Sequence, residues 1–135
     1  MSSPEAEREA ALQANARFYR ALAGGDYSAM ESLWARAEGV LCIHPGGEPL
    51  HGREAVMESW RSILSTPPAV SFDAPRVEFV RGLAFVTGIE TIAGQRLAAT
   101  NVFVWESGRW RLAHHQAGHV ASRAEMVPPD GETLH

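Results

Sequence analysis

Lysine is absent from this chain, and cysteine occurs once. All twelve basic residues are arginine and are scattered rather than clustered, so no basic stripe is offered to a phosphate backbone. No nucleic-acid partner is expected. Cys42 stands alone and cannot close an internal disulfide, which excludes a disulfide-built secreted scaffold and favours a reducing compartment. Long hydrophobic runs are missing too: the longest are strand-sized, short of the ~20 residues a membrane helix needs. Met1 to Glu5 brings acid where a signal peptide carries base. The expectation is a cytoplasmic protein with no membrane segment. Neither a glycine-rich phosphate loop of standard spacing nor a nucleophile-elbow sequence occurs.

What is present suits one domain. A length of 135 residues supports one core but not two, and sixteen acidic against twelve basic side chains leave a net charge of −4. Pro4 to Ala23 is rich in helix formers, with Ser3 as cap, Pro4 at the first helical position and Glu5, Glu7 and Glu9 in the early turns. Gly24 and Gly25 end that helix, and Asp26 opens a shorter one through about Ala35. Val40 to His44 reads as a buried strand closed by Pro45-Gly46-Gly47, and Gly52 to Ser65 as a third helix with Val56, Trp60, Ile63 and Leu64 on one stripe.

From Val70 the apolar period changes from helical to two. Turn signals at Arg81-Gly82, Ala93-Gly94 and Ser107-Gly108 separate four long strands in a meander of hairpins, the last being Arg109 to Val120. Three helices followed by a curved antiparallel sheet define an α+β domain with the helices on one face. Its core spans residues 4–121, and a tail of 122–135 carries Pro128-Pro129-Asp130-Gly131.

A curved sheet wrapped on helices forms a cone, and side chains aimed into it supply Phe18, Tyr19, Trp34, Trp60, Phe85, Phe103, Trp105 and Trp110. Polar residues at such inward positions are the informative ones, because burying an unpaired polar group costs about 1–3 kcal/mol. These are His44, Asn101, and His114 with Gln116, taken to share a face with Trp110 and Leu112; Glu90, near a strand end, is a fifth. Cys42 reads as a buried small hydrophobe, since His44 lies ~6.6 Å of strand rise away. Adjacent strand residues face opposite ways, so His114, His115 and His119 cannot share an ion without an outside ligand such as His44 or Glu90, and no metal is expected.

Phe18-Tyr19 with Leu22, Gly25-Asp26, Trp34, Cys42 to Gly47, Leu50 to Val56 with Trp60, and Ser107 to His115 together resemble the nuclear transport factor 2-like superfamily over about Leu12 to Val120. Ketosteroid isomerases, SnoaL-like cyclases and the association domain of calmodulin-dependent kinase share that cone. The resemblance implies the cone-shaped, cystatin-like fold and a ligand pocket inside it. It sets His44 where the isomerases carry their general-base Asp, Phe18 or Tyr19 near their oxyanion-stabilising Tyr, and Thr100-Asn101 where their second donor sits. The alternating His of kinase association domains matches His114 and Gln116.

The reading that follows is a SnoaL-like pocket protein for a compact apolar molecule. His44, Asn101 and His114 would be its catalytic residues, and Phe18, Tyr19, Trp34, Trp60, Glu90 and Gln116 its ligand-binding ones. Any activity would be acid–base chemistry of isomerase, cyclase or hydrolase type, with no cofactor; a histidine with an ordinary pKa near ~6.5 suits it. The alternative is a non-catalytic homodimer that binds a ligand or a protein. Dimerisation is expected through an outer sheet face carrying Val80, Val86, Val102 and Val104.

Overall fold

The computed structural model describes residues 3–121. The 122–135 tail lies outside them. Helix α1 (Pro4–Gly24) begins at Ser3, whose hydroxyl accepts from the Ala6 N–H at 3.1 Å. It ends at Gly25, left-handed at φ +64°, after which the Asp26 N–H reaches back to the Ala21 carbonyl at 2.9 Å. A Cβ there would sit 3.0 Å from the Leu64 carbonyl oxygen, so glycine also permits the close approach of α3.

Asp26 caps α2 (Tyr27–Leu33), which stops two residues before the expected Ala35. There Trp34 turns extended and Ala35 donates to the Leu112 carbonyl. Then come β1 (Leu41–Ile43), a two-residue β2 (Leu50–His51) that the sequence did not announce, and α3 (Arg53–Leu64). The Arg53 guanidinium donates to the carbonyls of Glu31, Trp34 and Ala35, tying the end of α2 to the start of α3.

Strands β3 (Val70–Val80), β4 (Leu83–Ile92), β5 (Gln95–Glu106) and β6 (Arg109–His119) form the meander. Each hairpin turns on two consecutive positive-φ residues, Arg81-Gly82, Ala93-Gly94 and Ser107-Gly108. That is the mirror-image turn whose twist matches paired strands. The sheet order is β2-β1-β6-β5-β4-β3, antiparallel except where β1 lies parallel to β6. The helices cover one face, over a core that includes Phe18, Met30, Trp34, Val56, Trp60, Val86, Phe103 and Leu112. Among the described residues no helix is long and apolar enough to cross a membrane.

Two irregularities correct the expected faces. Between β5 and β6, Val102 pairs with His114 but Phe103 with Leu112, so Ala113 is an extra residue. The bulge reverses the alternation. Trp110 and Leu112 are buried before it, and His115 and Ala117 after it, while Gln116 is exposed and His114 is half-buried on the opposite face. On β4 the core face carries Ala84, Val86 and Glu90, which puts Phe85 outside and moves Val86 from the expected outer patch into the core. Trp105 keeps the expected side of β5 but lies beyond the helical cover, 57 % exposed.

Candidate functional site

The polar groups that α1 and the long strands bury form one connected set. The Tyr19 hydroxyl donates to Glu90 Oε2 at 2.7 Å, and Asn101 Nδ2 donates to Asn15 Oδ1 at 2.8 Å and to the Tyr19 oxygen at 3.1 Å. His115 Nδ1 donates to Asn101 Oδ1 at 2.6 Å. Asn15, Glu90, Asn101 and His115 are each no more than 3 % exposed. Because the Asn101 oxygen can only accept, His115 must carry its proton on Nδ1, leaving the Nε2 lone pair 3.8 Å from Glu90 Oε2.

Burial acts against charge throughout this set. Burial pushes His115 down to about 3, and the neighbouring His44 and His114 add to the effect. Burial also raises the Glu90 carboxyl above its usual range, opposed by the hydrogen bond from Tyr19. The Tyr19 hydroxyl is raised by burial first and by the adjoining Glu90 second. With the His115 imidazole held unprotonated, its approach to Glu90 is not an ion pair.

His44 stands beside this set, its ring 6.5 Å from that of His115 and edge-to-face on Trp60 at 4.7 Å. Ser59 spends its hydroxyl proton on the Val56 carbonyl at 2.6 Å, so His44 Nε2 donates to Ser59 Oγ at 2.9 Å and the ring lone pair is on Nδ1, 3.9 Å from Cys42 Sγ. Burial pushes His44 below its usual value. Cys42 Sγ lies 3.7 Å from His44 Nε2, closer than strand rise alone implies, yet burial holds its thiol up at about 12 and it stays an unreactive hydrophobe.

The aromatic walls are Phe18, its ring 4.9 Å from His115, Trp60 at 5.8 Å from His115, and Phe72, stacked on Tyr19 at 4.3 Å and 18°. Phe18 and Tyr19 thus both face the set, one by its ring and the other by its hydroxyl. Trp34 lies behind Trp60 at 6.4 Å, and the indole N–H of each is buried with no hydrogen-bond partner among the described residues. A groove of about 550 Å³ between α1 and β3, lined by Leu12, Asn15, Tyr19, Val70, Phe72 and Pro75, ends on the two α1 residues that join the buried set.

The structure thus gathers His44, Asn101, Glu90, Phe18, Tyr19 and Trp60, and leaves His114 and Gln116 out. It adds three residues that sequence reasoning did not select: His115, brought in by the bulge; Ser59; and Asn15. A polar Asn15 one turn before Tyr19 on a buried helical face was the signal available for the last.

A cone of helices on a long-stranded curved sheet, with polar groups enclosed in it, is the architecture of the nuclear transport factor 2-like proteins. Within that superfamily the chain belongs to the SnoaL-like domain family, whose sequence model matches residues 11–122. A Streptomyces avermitilis protein, named as a candidate dehydratase of the nuclear transport factor 2-like family, is 31 % identical with TM-score 0.80, over 89 % of this chain and 100 % of its own. A candidate calcium/calmodulin-dependent protein kinase type II association domain from Thiobacillus denitrificans is 28 % identical with TM-score 0.73, over 90 % of this chain and 98 % of its own. F-box protein SKIP8 of Arabidopsis thaliana is 28 % identical over 116 residues, 83 % of this chain; the chain spans 50 % of that relative's length.

Proposed function

We propose that this SnoaL-like domain binds a compact, largely apolar molecule bearing a carbonyl or hydroxyl group and transfers protons on it, in a reaction of the isomerisation or dehydration type. The observation that carries this reading is the buried Tyr19–Glu90–Asn101–His115 set, which is joined through Tyr19 and Asn15 to a groove that those two residues help line. Four buried polar side chains are an expensive way to fill a core that Leu or Phe would fill, and acid–base sites are where such groups collect.

Glu90, raised by burial, is the proton donor; His44, with its lone pair on Nδ1, is the acceptor. In a dehydration the acceptor takes the proton α to a carbonyl, the C=C bond forms, and the C–O bond breaks as the donor protonates the leaving hydroxyl to water. Asn101 and His115 hold Tyr19 and Glu90 in place, and Phe18, Trp60 and Phe72 exclude water. The unpartnered indole N–H of Trp60 is a donor free for a ligand oxygen. The candidate-dehydratase naming of the Streptomyces relative supports the same class.

The test is turnover of a panel of enolisable ketones, β-hydroxy carbonyl compounds and epoxides by wild type, Glu90→Gln and His44→Ala. General acid–base loss predicts variants at least about 100-fold slower on any substrate the wild type accepts. Equal rates in all three proteins, or none in any, overturn the proposal.

A second reading concerns assembly. Val80 is exposed, and Leu83, Phe85, Ile89, Val102 and Val104 are only partly covered on the outer face of the sheet. Pairing two such faces in a homodimer would cover them. A monomer in sedimentation at micromolar concentration would remove this reading.

A further inference from the structure

The concave face has a second aromatic cluster, toward the start of α1, which shares no lining residue with the groove and serves no role in the chemistry above. Phe79 on β3 is 40 % exposed and Trp105 on β5 is 57 % exposed, whereas Phe18, Trp34, Trp60 and Phe103 are fully buried. Two large rings held in water on the face that elsewhere forms the core need an explanation.

Their geometry supplies one. Trp110 forms a floor, with Trp105 edge-to-face against it at 5.3 Å and 80° and Phe79 tilted on it at 5.9 Å and 38°. The three rings line a cleft of about 460 Å³ with Ala6, Ala10 and Glu7 of α1 and Gly82 of the β3–β4 turn. The alanines and the glycine keep it open; a Cβ at Gly82 would meet nothing within 4 Å. Ring faces are electron-rich, and the one carboxylate in the lining, Glu7, has no hydrogen-bond or ion-pair partner among the described residues.

Among the described residues no cation occupies those rings. The cation–π contact among the described residues is Arg61 over Tyr27 at 4.1 Å, on a different surface. Arg8, the nearest arginine along α1, turns its guanidinium to the Val77 carbonyl.

We propose that Phe79, Trp105, Trp110 and Glu7 form a binding site for a small organic cation of the quaternary-ammonium class. Its apolar methyl groups would pack on the rings, its diffuse charge would face their π surfaces, and the Glu7 carboxylate would close the fourth side. The site is independent of the acid–base proposal, since it shares no residue with it. A second copy of the chain covering the same rings is the competing occupant.

The experiment is calorimetric titration of the intact protein with choline and, in parallel, with 3,3-dimethylbutan-1-ol, which has the same shape without the charge. Choline should bind saturably and about two- to fivefold more tightly than the neutral alcohol, the discrimination expected of a cation over exposed rings. Trp105→Ala should abolish the binding, Trp105→Phe should retain part of it, and Glu7→Gln should weaken it severalfold. Circular dichroism of each variant checks that it is folded. Equal binding of choline and the alcohol, choline binding indifferent to Trp105→Ala, or no saturable choline binding overturns the proposal. So does tryptophan emission that shifts with protein concentration and not with choline, which would assign the rings to a second copy.

Discussion

At one end of the concave face Tyr19, Glu90, Asn101 and His115 are polar groups taken out of water; at the other, Phe79 and Trp105 are apolar groups left in it. One sheet and one helix supply both. The first end is held by hydrogen bonds that converge on Asn101 and Tyr19, so its parts are interdependent. The second consists of rings that could be removed one by one. Coupling through a network and independence on a surface give opposite mutational signatures.

The largest effect should therefore come from the residue with most partners. Asn101→Leu removes the donor to Asn15 and Tyr19 and the acceptor of His115, leaving three buried groups short of a bond. At about 1–3 kcal/mol for each orphaned group, the loss in urea denaturation should be about 3–9 kcal/mol. A loss below about 1 kcal/mol would mean that water already reaches these groups and that this end is no more closed than the other.

Acid should open the same end next. His115 is held near 3 against an ordinary value near 6.5, so the folded state resists a proton that the unfolded state accepts. Its stabilising contribution is complete above 6.5 and is lost as pH falls toward 3. Between pH 6.5 and pH 4 that is about 3 kcal/mol, at roughly 1.4 kcal/mol per unit. Glu90 has the opposite sign: its raised pKa leaves it neutral in acid and withdraws stability as pH climbs. Thermal midpoints across this range should fall on the acid side and flatten in His115→Gln, with the remaining slope owed to His44 and His114, which burial also lowers.

Gly88 supplies a third, smaller test at the edge of the closed end. A Cβ there would run into the Phe72 ring and stand 2.8 Å from the Asp73 carbonyl oxygen, opposite the bulge at Ala74-Pro75. Gly88→Ala must push Phe72 off Tyr19, at a cost of about 2 kcal/mol for an overpacked contact. It should also change the near-ultraviolet dichroism of Tyr19. Unchanged stability would show that the edge strand β3 gives way freely and that Phe72 does not seal the set.

The sequence displayed some of this contrast and hid the rest for identifiable reasons. The three hairpins were legible because consecutive positive φ angles select small and turn-forming pairs, each closed by a glycine: Gly82, Gly94 and Gly108. Helix α1 was legible through its cap, its proline and its stripe. Asn101 and Glu90 were legible as polar interruptions in apolar strands. The exchange of His114 for His115 was not, because nothing in Arg111-Leu112-Ala113-His114-His115 marks Ala113 as an extra residue. The bulge depends on where β5 and β1 hold the strand, and the parallel pairing of Cys42 with His115 joins segments more than seventy residues apart. Exposure of Trp105 was hidden likewise, since its place in the alternation matched Phe103 and only the reach of α1 decides which ring is covered.

The smallest effect is expected where the side chain is largest. Trp105→Ala deletes an indole that touches Trp110 by its edge and is otherwise mostly in water, so the loss is one aromatic contact and a partial burial. Such a pair contributes about 0.5–1.5 kcal/mol, and a surface substitution usually stays within about 0.5 kcal/mol, so the denaturation midpoint should shift by less than about 1 kcal/mol. Asn101, a much smaller residue, should cost several times more. If the order is reversed, the rings at Trp105 belong to a packed interface and the open end is closed in solution. If it holds, the indole is retained for something other than stability, which is the condition a binding site at that end requires.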